Sequence, residues 1–454
     1  MVTDTEVNMT IGSTKLIAIL AVAVVAVAGA GIAVALMNNN GDDSKDVPTG
    51  EVPVFGNANN DYIIDSADID TINKIVDEKI TNWEENYPYA DANQDGNVNK
   101  DDADYIQKYI DKESIKLYYI NGCGTTAYIN YPIAKEKSGL RIAIDGVTPM
   151  DFIVACGLWD QVMAVNNDSG TAHDSVIYPG VDDHSKYKRF GTYSKITSEE
   201  AVASGANIMI GWPGVDYFTQ YGTTINTVQK TIAIVTVGQN GPDMYQGALT
   251  LHSLLNVDDN ILDFVAFSQK VLKKISDKLT DDKKIKVIAG AAYTASPDYG
   301  YQVNNFQYGD TFSNAKGIWS LVKNTMSDKA SATFKMTDEE WTVHKDDVVV
   351  LMTYYSLSAS RDSDHKFTED YESYAKKAVK YNYGTRDAYT NHRIYVTDWA
   401  MLNLSGYAAG SYLLASMIYP DLFDQEDAKK DVEYFMEHFS YRTSPMYYIG
   451  DITQ

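Results

Sequence analysis

The stretch Asp259–Leu279, DNILDFVAFSQKVLKKISDKL, decides the fold. Its apolar residues Ile261, Phe264, Val265, Val271, Leu272, Ile275 and Leu279 recur at three- and four-residue steps, which is one face of an α-helix. Asp258 and Asp259 suit the positive end of that helix, and Lys270, Lys273, Lys274 and Lys278 crowd the negative end. No Gly or Pro interrupts it, so about 20 residues at ~1.5 Å each predict a rod of about 30 Å.

The two flanks of the rod echo each other. ITSEEAVASGANIMIG precedes it and MTDEEWTVHKDDVVVLM follows, with Thr197 and Thr337, Glu200 and Glu340, and Asn207 and Asp347 each 140 positions apart (337 − 197). Each copy opens on a Thr-x-x-Glu capping box, runs one short helix and enters an apolar strand. Repetition at one offset around a single long helix predicts two similar α/β lobes joined by a rod.

The chain has 454 residues, too many for one core. Its composition is globular, with 44% hydrophobic and 22% charged residues. The net charge of −24 argues against nucleic acid, because no basic surface is present to replace phosphate counterions. Cys123 and Cys156 are the only cysteines; they have neither CxxC nor zinc spacing, and the sequence leaves open whether they are bridged.

Leu16–Met37 runs 22 residues without a charge, long enough to span a bilayer. Lys15 precedes it and Asp42, Asp43, Asp46 and Glu51 follow, which places residues 1–15 in the cytoplasm and the bulk of the chain outside. An uncleaved single-pass anchor in the cell membrane is expected; a cleaved export signal is the alternative, and either exports the remainder. Residues 38–52 read as a polar linker.

Asp91, Asn93, Asp95, Asn99 and Asp102 then place side-chain oxygens at positions 1, 3, 5, 9 and 12 of a loop with Gly96 at position 6. This is an EF-hand-type calcium loop with Asp in place of Glu at position 12. A second copy lies 34 residues earlier (91 − 57), at Asn57, Asn59, Asp61, Asp65 and Asp68, with Tyr62 at the glycine position. One amphipathic helix follows each loop. Calcium is the expected cofactor. Paired loops of this kind over residues 53–113 resemble a type I dockerin domain, which implies a cohesin-bearing partner. The residues after position 9, Ser66-Ala67 and Lys100-Asp101, do not match each other.

Beyond Ile115 the pattern alternates between strands and helices, which means parallel sheets covered on both faces. Asn121-Gly122 inside KLYYINGCGTTAYINYPI signals a hairpin. Strands are expected at Arg141–Asp145, Gln161–Val165, Asn207–Trp212, Thr231–Val237, Lys286–Tyr293, Val348–Tyr354 and Arg393–Asp398. Helices are expected at Met244–Leu255, around Ala315–Lys323, and at Tyr407–Met417 and Asp427–Phe439. The fold class is therefore α/β: two doubly wound parallel-sheet lobes (114–258 and 282–454) joined by one long helix (259–281). A small all-α calcium-loop domain and a transmembrane helix precede them.

In this order RIAIDGVTPMDFIVACGLWDQVMAV, GTYSKITSEEAVASGANIMIG and HRIYVTDW resemble the substrate-binding proteins of ABC importers for iron–siderophore, haem and cobalamin. The resemblance implies a metal-chelate ligand and an ABC permease as partners. Ligands of open α/β sheets bind beyond the carboxyl ends of the strands. Those positions hold Thr148, Asn166, Tyr193 and Trp212 in the first lobe and Tyr293, Tyr354, Tyr355, Arg361 and Trp399 in the second, a mostly aromatic set that suits flat chelates. His173 and His184 fall in a loop facing the expected cleft, where solvated histidines are the simpler reading.

No GxSxG, P-loop, HExxH or CxxC occurs, so catalysis is not expected. The function expected is a membrane-anchored extracellular solute-binding protein for an ABC importer. The alternative is a cell-surface scaffold acting through dockerin–cohesin pairing.

Overall fold

The strands after Ile115 sort into two five-stranded sheets of the same plan. In the computed structural model the first has the order β5-β4-β3-β6-β7, from Lys188–Phe190, Val162–Asn166, Ile142–Ile144, Ile208–Ile210 and Ala233–Val235. The second has the order β10-β8-β12-β13-β14, from Lys323–Asn324, Lys286–Ala292, Val348–Thr353, Ile394–Asp398 and Ile449–Asp451. The first sheet is parallel throughout, and the second is parallel except for its last strand. Four strands correspond in each: β4-β3-β6-β7 and β10-β8-β12-β13. Asn207 and Asp347 stand just before β6 and β12, so the duplication read from the sequence is a duplication of topology. The structure describes residues 47–167, 178, 180–191, 198–212, 232–239, 241, 243–257, 260–280, 282–283, 286–292, 305–306, 323–324, 334–335, 348–353, 387–398, 400–441 and 449–451.

Helix α1 (Ser66–Val76) and helix α2 (Lys100–Ile110) follow the two Asx-rich loops, β1 (Ile115–Ile120) pairs antiparallel with β2 (Thr126–Tyr131), and β9 (Asn305–Phe306) pairs antiparallel with β11 (Phe334–Lys335). In the first lobe α3 (Val147–Ala155) and α4 (Ser198–Ser204) cover the sheet, and α5 (Asp243–Leu255) leads to the connecting helix α6 (Asn260–Ser276). The second lobe closes with α7 (Tyr407–Ile418) and α8 (Gln425–Phe439). α6 is 17 residues long, about 25 Å at the helical rise, and stops three residues short of the predicted end. Lys273 there binds Asp277 at 2.7 Å, and Leu279 N still donates to the Ile275 carbonyl at 2.9 Å. The predicted caps Asp258 and Asp259 lie outside the described residues. Ile261, Phe264, Val265, Val271 and Ile275 are buried, the face that the periodicity marks.

The rod is one helix of a layer. Phe264 and Phe267 each meet Phe439 at ring distances of 5.5 Å, and Phe267 meets Tyr434 at 4.9 Å. Lys274 binds Asp431 at 2.7 Å and Asp427 at 3.0 Å, and Tyr412 donates to Asp427 at 2.9 Å. Burial works to lower the Lys274 pKa, but the hydrogen bonds to Asp431 and Asp427 outweigh it and hold the ammonium above its ordinary value. The lobes are pinned again at Asp151, buried in α3, whose carboxylate accepts from the amide of Ser405 at 3.0 Å and from its hydroxyl. Tyr178 donates to the other oxygen at 3.2 Å.

Two expectations change, and one open question closes. The hairpin turn is not a two-residue Asn-Gly turn. Asn121 organises a loop through Thr125, its Oδ1 accepting from the amides of Cys123 and Thr125. Cys123 is exposed and Cys156 buried, and no disulfide joins them. Residues 47–52, read as the end of a flexible linker, are held against the fold. Thr49 N donates to Gln269 Oε1 at 2.8 Å, Gln246 reaches the Glu51 carbonyl at 3.4 Å, and Val52 is fully buried. The predicted span 16–37 and the helix around 315–323 lie outside the described residues, apart from Lys323, which is in strand β10. Among the described residues no helix is long and apolar enough to cross a membrane.

Candidate functional site

The two Asx-rich loops share the same side-chain-to-amide hydrogen bonds at positions 3, 5, 9 and 12, at the 34-residue offset. Asp68 and Asp102, both fully buried, accept the amides of Asn59 (3.0 Å) and Asn93 (3.2 Å) on one oxygen. Their other oxygens accept the amides of Asp65 (2.8 Å) and Asn99 (2.9 Å) and so cap α1 and α2. Asn59 and Asn93 each accept from the amide at position 5, Asp61 and Asp95 from that at position 7, and Asp65 and Asn99 from that at position 11. Asn60 and Gln94 share the left-handed conformation at φ 61° and 59°.

The loops differ at positions 1 and 6. In the second, the Asp91 carboxylate accepts from the amides of Asp95 and Gly96, and Gly96 takes φ 90°, which only glycine adopts at no cost. In the first, Tyr62 is not left-handed and so carries no backbone strain. Asn57 crosses the loop, its Nδ2 donating to the carbonyls of Val52 and Asp61. Its Oδ1 is buried without a hydrogen-bond partner. A buried, unpaired amide oxygen at the first ligand position is a neutral donor that suits a hard cation. Burial pushes the Asp68 carboxyl up to about 7, with Asp61 and Asp65 adding like-charge repulsion, and burial raises Asp102 and Asp91 as well. Among the described residues no ion pair involves Asp68, Asp91 or Asp102. Among the described residues no three Asp, Glu, His or Cys side chains stand together as a ready-made metal cage, because the carboxylates are turned to loop amides and four of the ten donors are Asn.

The carboxyl edge of the first sheet brings together a second set. Asp145 ends the run from β3 and is fully buried, with Asn166 of β4 donating to it at 2.6 Å. β3 lies between β4 and β6, where successive connections leave in opposite directions, the position at which open sheets form a crevice. Gln239 donates to the Gly211 carbonyl at 3.0 Å while its Oε1 is buried without a partner, as is Thr236 Oγ1. Thr148 is buried in the first turn of α3, which starts at Gly146 with φ 118°.

Of the predicted ligand positions, Asn166 and Thr148 therefore sit at this edge. Trp212 follows β6 and is half-buried against the cluster of Ala143, Ala164, Phe190 and Met209. His184 is exposed on a loop. Tyr193, Tyr293, Tyr354, Tyr355, Arg361, Trp399 and His173 lie outside the described residues. β8, β12 and β13 do end at Ala292, Thr353 and Asp398, one residue before Tyr293, Tyr354 and Trp399. Asp145, Thr236 and Gln239 were missed by the sequence reading. The first was legible as the strand's last residue; the other two carry no signal beyond following an apolar run.

The chain is 15% identical to the TroA-like periplasmic binding protein FepB from Veillonella parvula, across 73% of this chain and 98% of that one, with a TM-score of 0.54. The fold is that of TroA-like periplasmic binding proteins. An ABC transporter solute-binding protein from Sulfurospirillum deleyianum matches 72% of this chain and 97% of its own, at 11% identity and a TM-score of 0.50. No protein-family model matches the chain, and no curated protein matches its sequence.

Proposed function

We propose that this protein is a cell-surface solute-binding protein that captures a metal chelate, such as an iron–siderophore, haem or cobalamin, and delivers it to an ABC importer. The observation that carries this reading is the pair of equivalent parallel sheets bridged by α6, a plan shared over nearly the full length of a TroA-like binding protein. Nothing in the function requires catalysis. It requires a preformed crevice between lobes that hold their geometry, and Asp151–Ser405 and Lys274–Asp431 supply two fixed points. Asp145, Asn166, Thr148 and Gln239 would give the first lobe's wall its polar groups, and the residues following β8, β12 and β13 would give the second its aromatic ones.

In this reading the charge-free run 16–37 tethers the protein to the membrane with the lobes outside the cell. Calcium would be held by Asn57, Asn59, Asp61, Asp65 and Asp68 in one loop and by Asp91, Asn93, Asp95, Asn99 and Asp102 in the other. It would supply the positive charge that the buried carboxylates lack. A 1:1 complex with a coloured chelate tests the transport reading. Calcium-dependent capture of a cohesin, with no small ligand bound, would favour the surface-scaffold alternative instead.

A further inference from the structure

The two-loop segment is not a bead on a string. Residues 46–454 form one compact unit, and the buried residues of α1 and α2 belong to the same continuous core as α5, α6 and α7. Three kinds of contact make the join. Before the first loop, Ile120 N donates to Pro53 O at 2.8 Å, Phe55 N donates to Tyr118 O at 2.9 Å, and Val54 bridges Tyr119, so the segment entering the loops lies as an edge against β1. From α2, Tyr109 stacks on Tyr131 of β2 at 4.8 Å, and its hydroxyl donates to the Ser253 carbonyl of α5 at 2.8 Å. Just after α2, Lys112 donates to the Asn256 carbonyl at 2.8 Å, while Asn256 donates to the Tyr131 hydroxyl at 2.9 Å.

The hairpin carries the connection to the crevice. Tyr119 donates to the Ile234 carbonyl of β7 at 3.2 Å, and Gly122 N at the hairpin tip donates to the Thr236 carbonyl at 2.8 Å. Thr236 stands at the carboxyl edge of the first sheet, three residues from Gln239. A continuous chain of packed and hydrogen-bonded groups thus runs from the loops through α2 and the hairpin to the crevice wall.

We infer that the paired loops are a structural cation site of the solute-binding lobe itself, and that their loading with calcium sets the stability of the hairpin, of α5 and of the β7 edge. The partner of this module is the lobe of its own chain. The inference rests on the calcium reading above, and it adds that release of the cation loosens the crevice wall more than 100 residues away in sequence. Opening of the wall and emptying of the loops are then one event, so bound calcium suppresses local opening by mass action.

The test uses the full-length chain in detergent, with calcium or with a chelator, measured by direct calcium binding and by site-resolved amide exchange. With calcium at about 100 times its dissociation constant, exchange at 234–236 and 253–255 should slow by about 100-fold, in step with the loops. If calcium does not bind, the calcium reading itself fails, and this inference fails with it. If calcium binds and protects the loops while exchange at 234–236 and 253–255 stays unchanged, the calcium reading stands and the coupling is overturned.

Discussion

The carboxylate of Asp151 and the backbone amide of Ser405 lie 254 positions apart in sequence and are joined by a 3.0 Å hydrogen bond. One belongs to the first lobe and the other to the second. The contact is buried, and it places a negative charge next to Gly406, where α7 begins, the end at which a helix favours an anion. A two-lobed binding protein that held its crevice by such contacts would be expected to move little on binding. Replacement of Asp151 by Ala leaves buried donors of Ser405 and Tyr178 unpaired and should cost about 3 kcal/mol, whereas Ser405→Ala should cost about 1 kcal/mol. Denaturant midpoints of the two variants test that order; equal and negligible losses would contradict it.

Tyr109→Phe keeps the stack on Tyr131 and removes only the hydrogen bond to the Ser253 carbonyl. A loss of about 1 kcal/mol is expected, seen by amide exchange as roughly five-fold faster opening of α5 near Ser253. Because linkage between the loops and α5 is reciprocal, calcium affinity should weaken by no more than that factor.

Lys274 is the hub of a partly buried pair with Asp427 and Asp431 and lies 5.1 Å over the Tyr412 ring. Lys274→Met keeps the apolar stem and leaves two acidic groups facing each other. The expected cost is about 1–2 kcal/mol, partly screened by salt because Asp427 is about half exposed. Thermal unfolding at low and high ionic strength should show a smaller difference from the parent protein at high salt.

Asp68 gives the calcium-free protein a distinctive pH response. Burial lifts its folded-state pKa to about 7, while in the unfolded chain it titrates near ~4. Between those values the folded state holds a proton that the unfolded state has released. Stability therefore is full below about pH 4 for this group and falls as pH rises toward 7, by at most ~1.4 kcal/mol per pH unit. Urea midpoints in chelator should be lower at pH 8 than at pH 5. Calcium should remove the difference by supplying the missing charge, and Asp68→Asn should remove it without calcium. A midpoint in chelator that does not change between pH 5 and 8 would show that Asp68 is not buried as an isolated acid.

Much of the fold was legible because its elements are long and regular. The buried face of α6 is the face its spacing marks, and β6 and β12, which follow the repeated capping boxes, occupy equivalent places in the two sheets. Short elements left no periodic trace: β5 has three residues and reads Lys-Arg-Phe, and β14 joins its sheet antiparallel from the far end of the chain. The two Asx-rich loops were legible through side-chain spacing, but their fusion to the lobe was not. Tyr109, Lys112 and Asn256 look like ordinary helix-end residues until the fold brings them together. Asp145 and Gln239 were missed for a similar reason, since buried polar groups at strand ends are defined by what packs around them.

The most direct test of the central claim is a tryptophan-fluorescence titration of the full-length protein, in calcium, with haem, cobalamin and ferric siderophores. Trp212 follows β6 at the edge of the crevice wall and should report a ligand between the lobes. The account predicts saturable quenching by one of these chelates at a 1:1 ratio, with a micromolar or tighter midpoint, weakened by replacement of Asn166 or Tyr354. A flat response to every chelate from protein shown to be folded would contradict it.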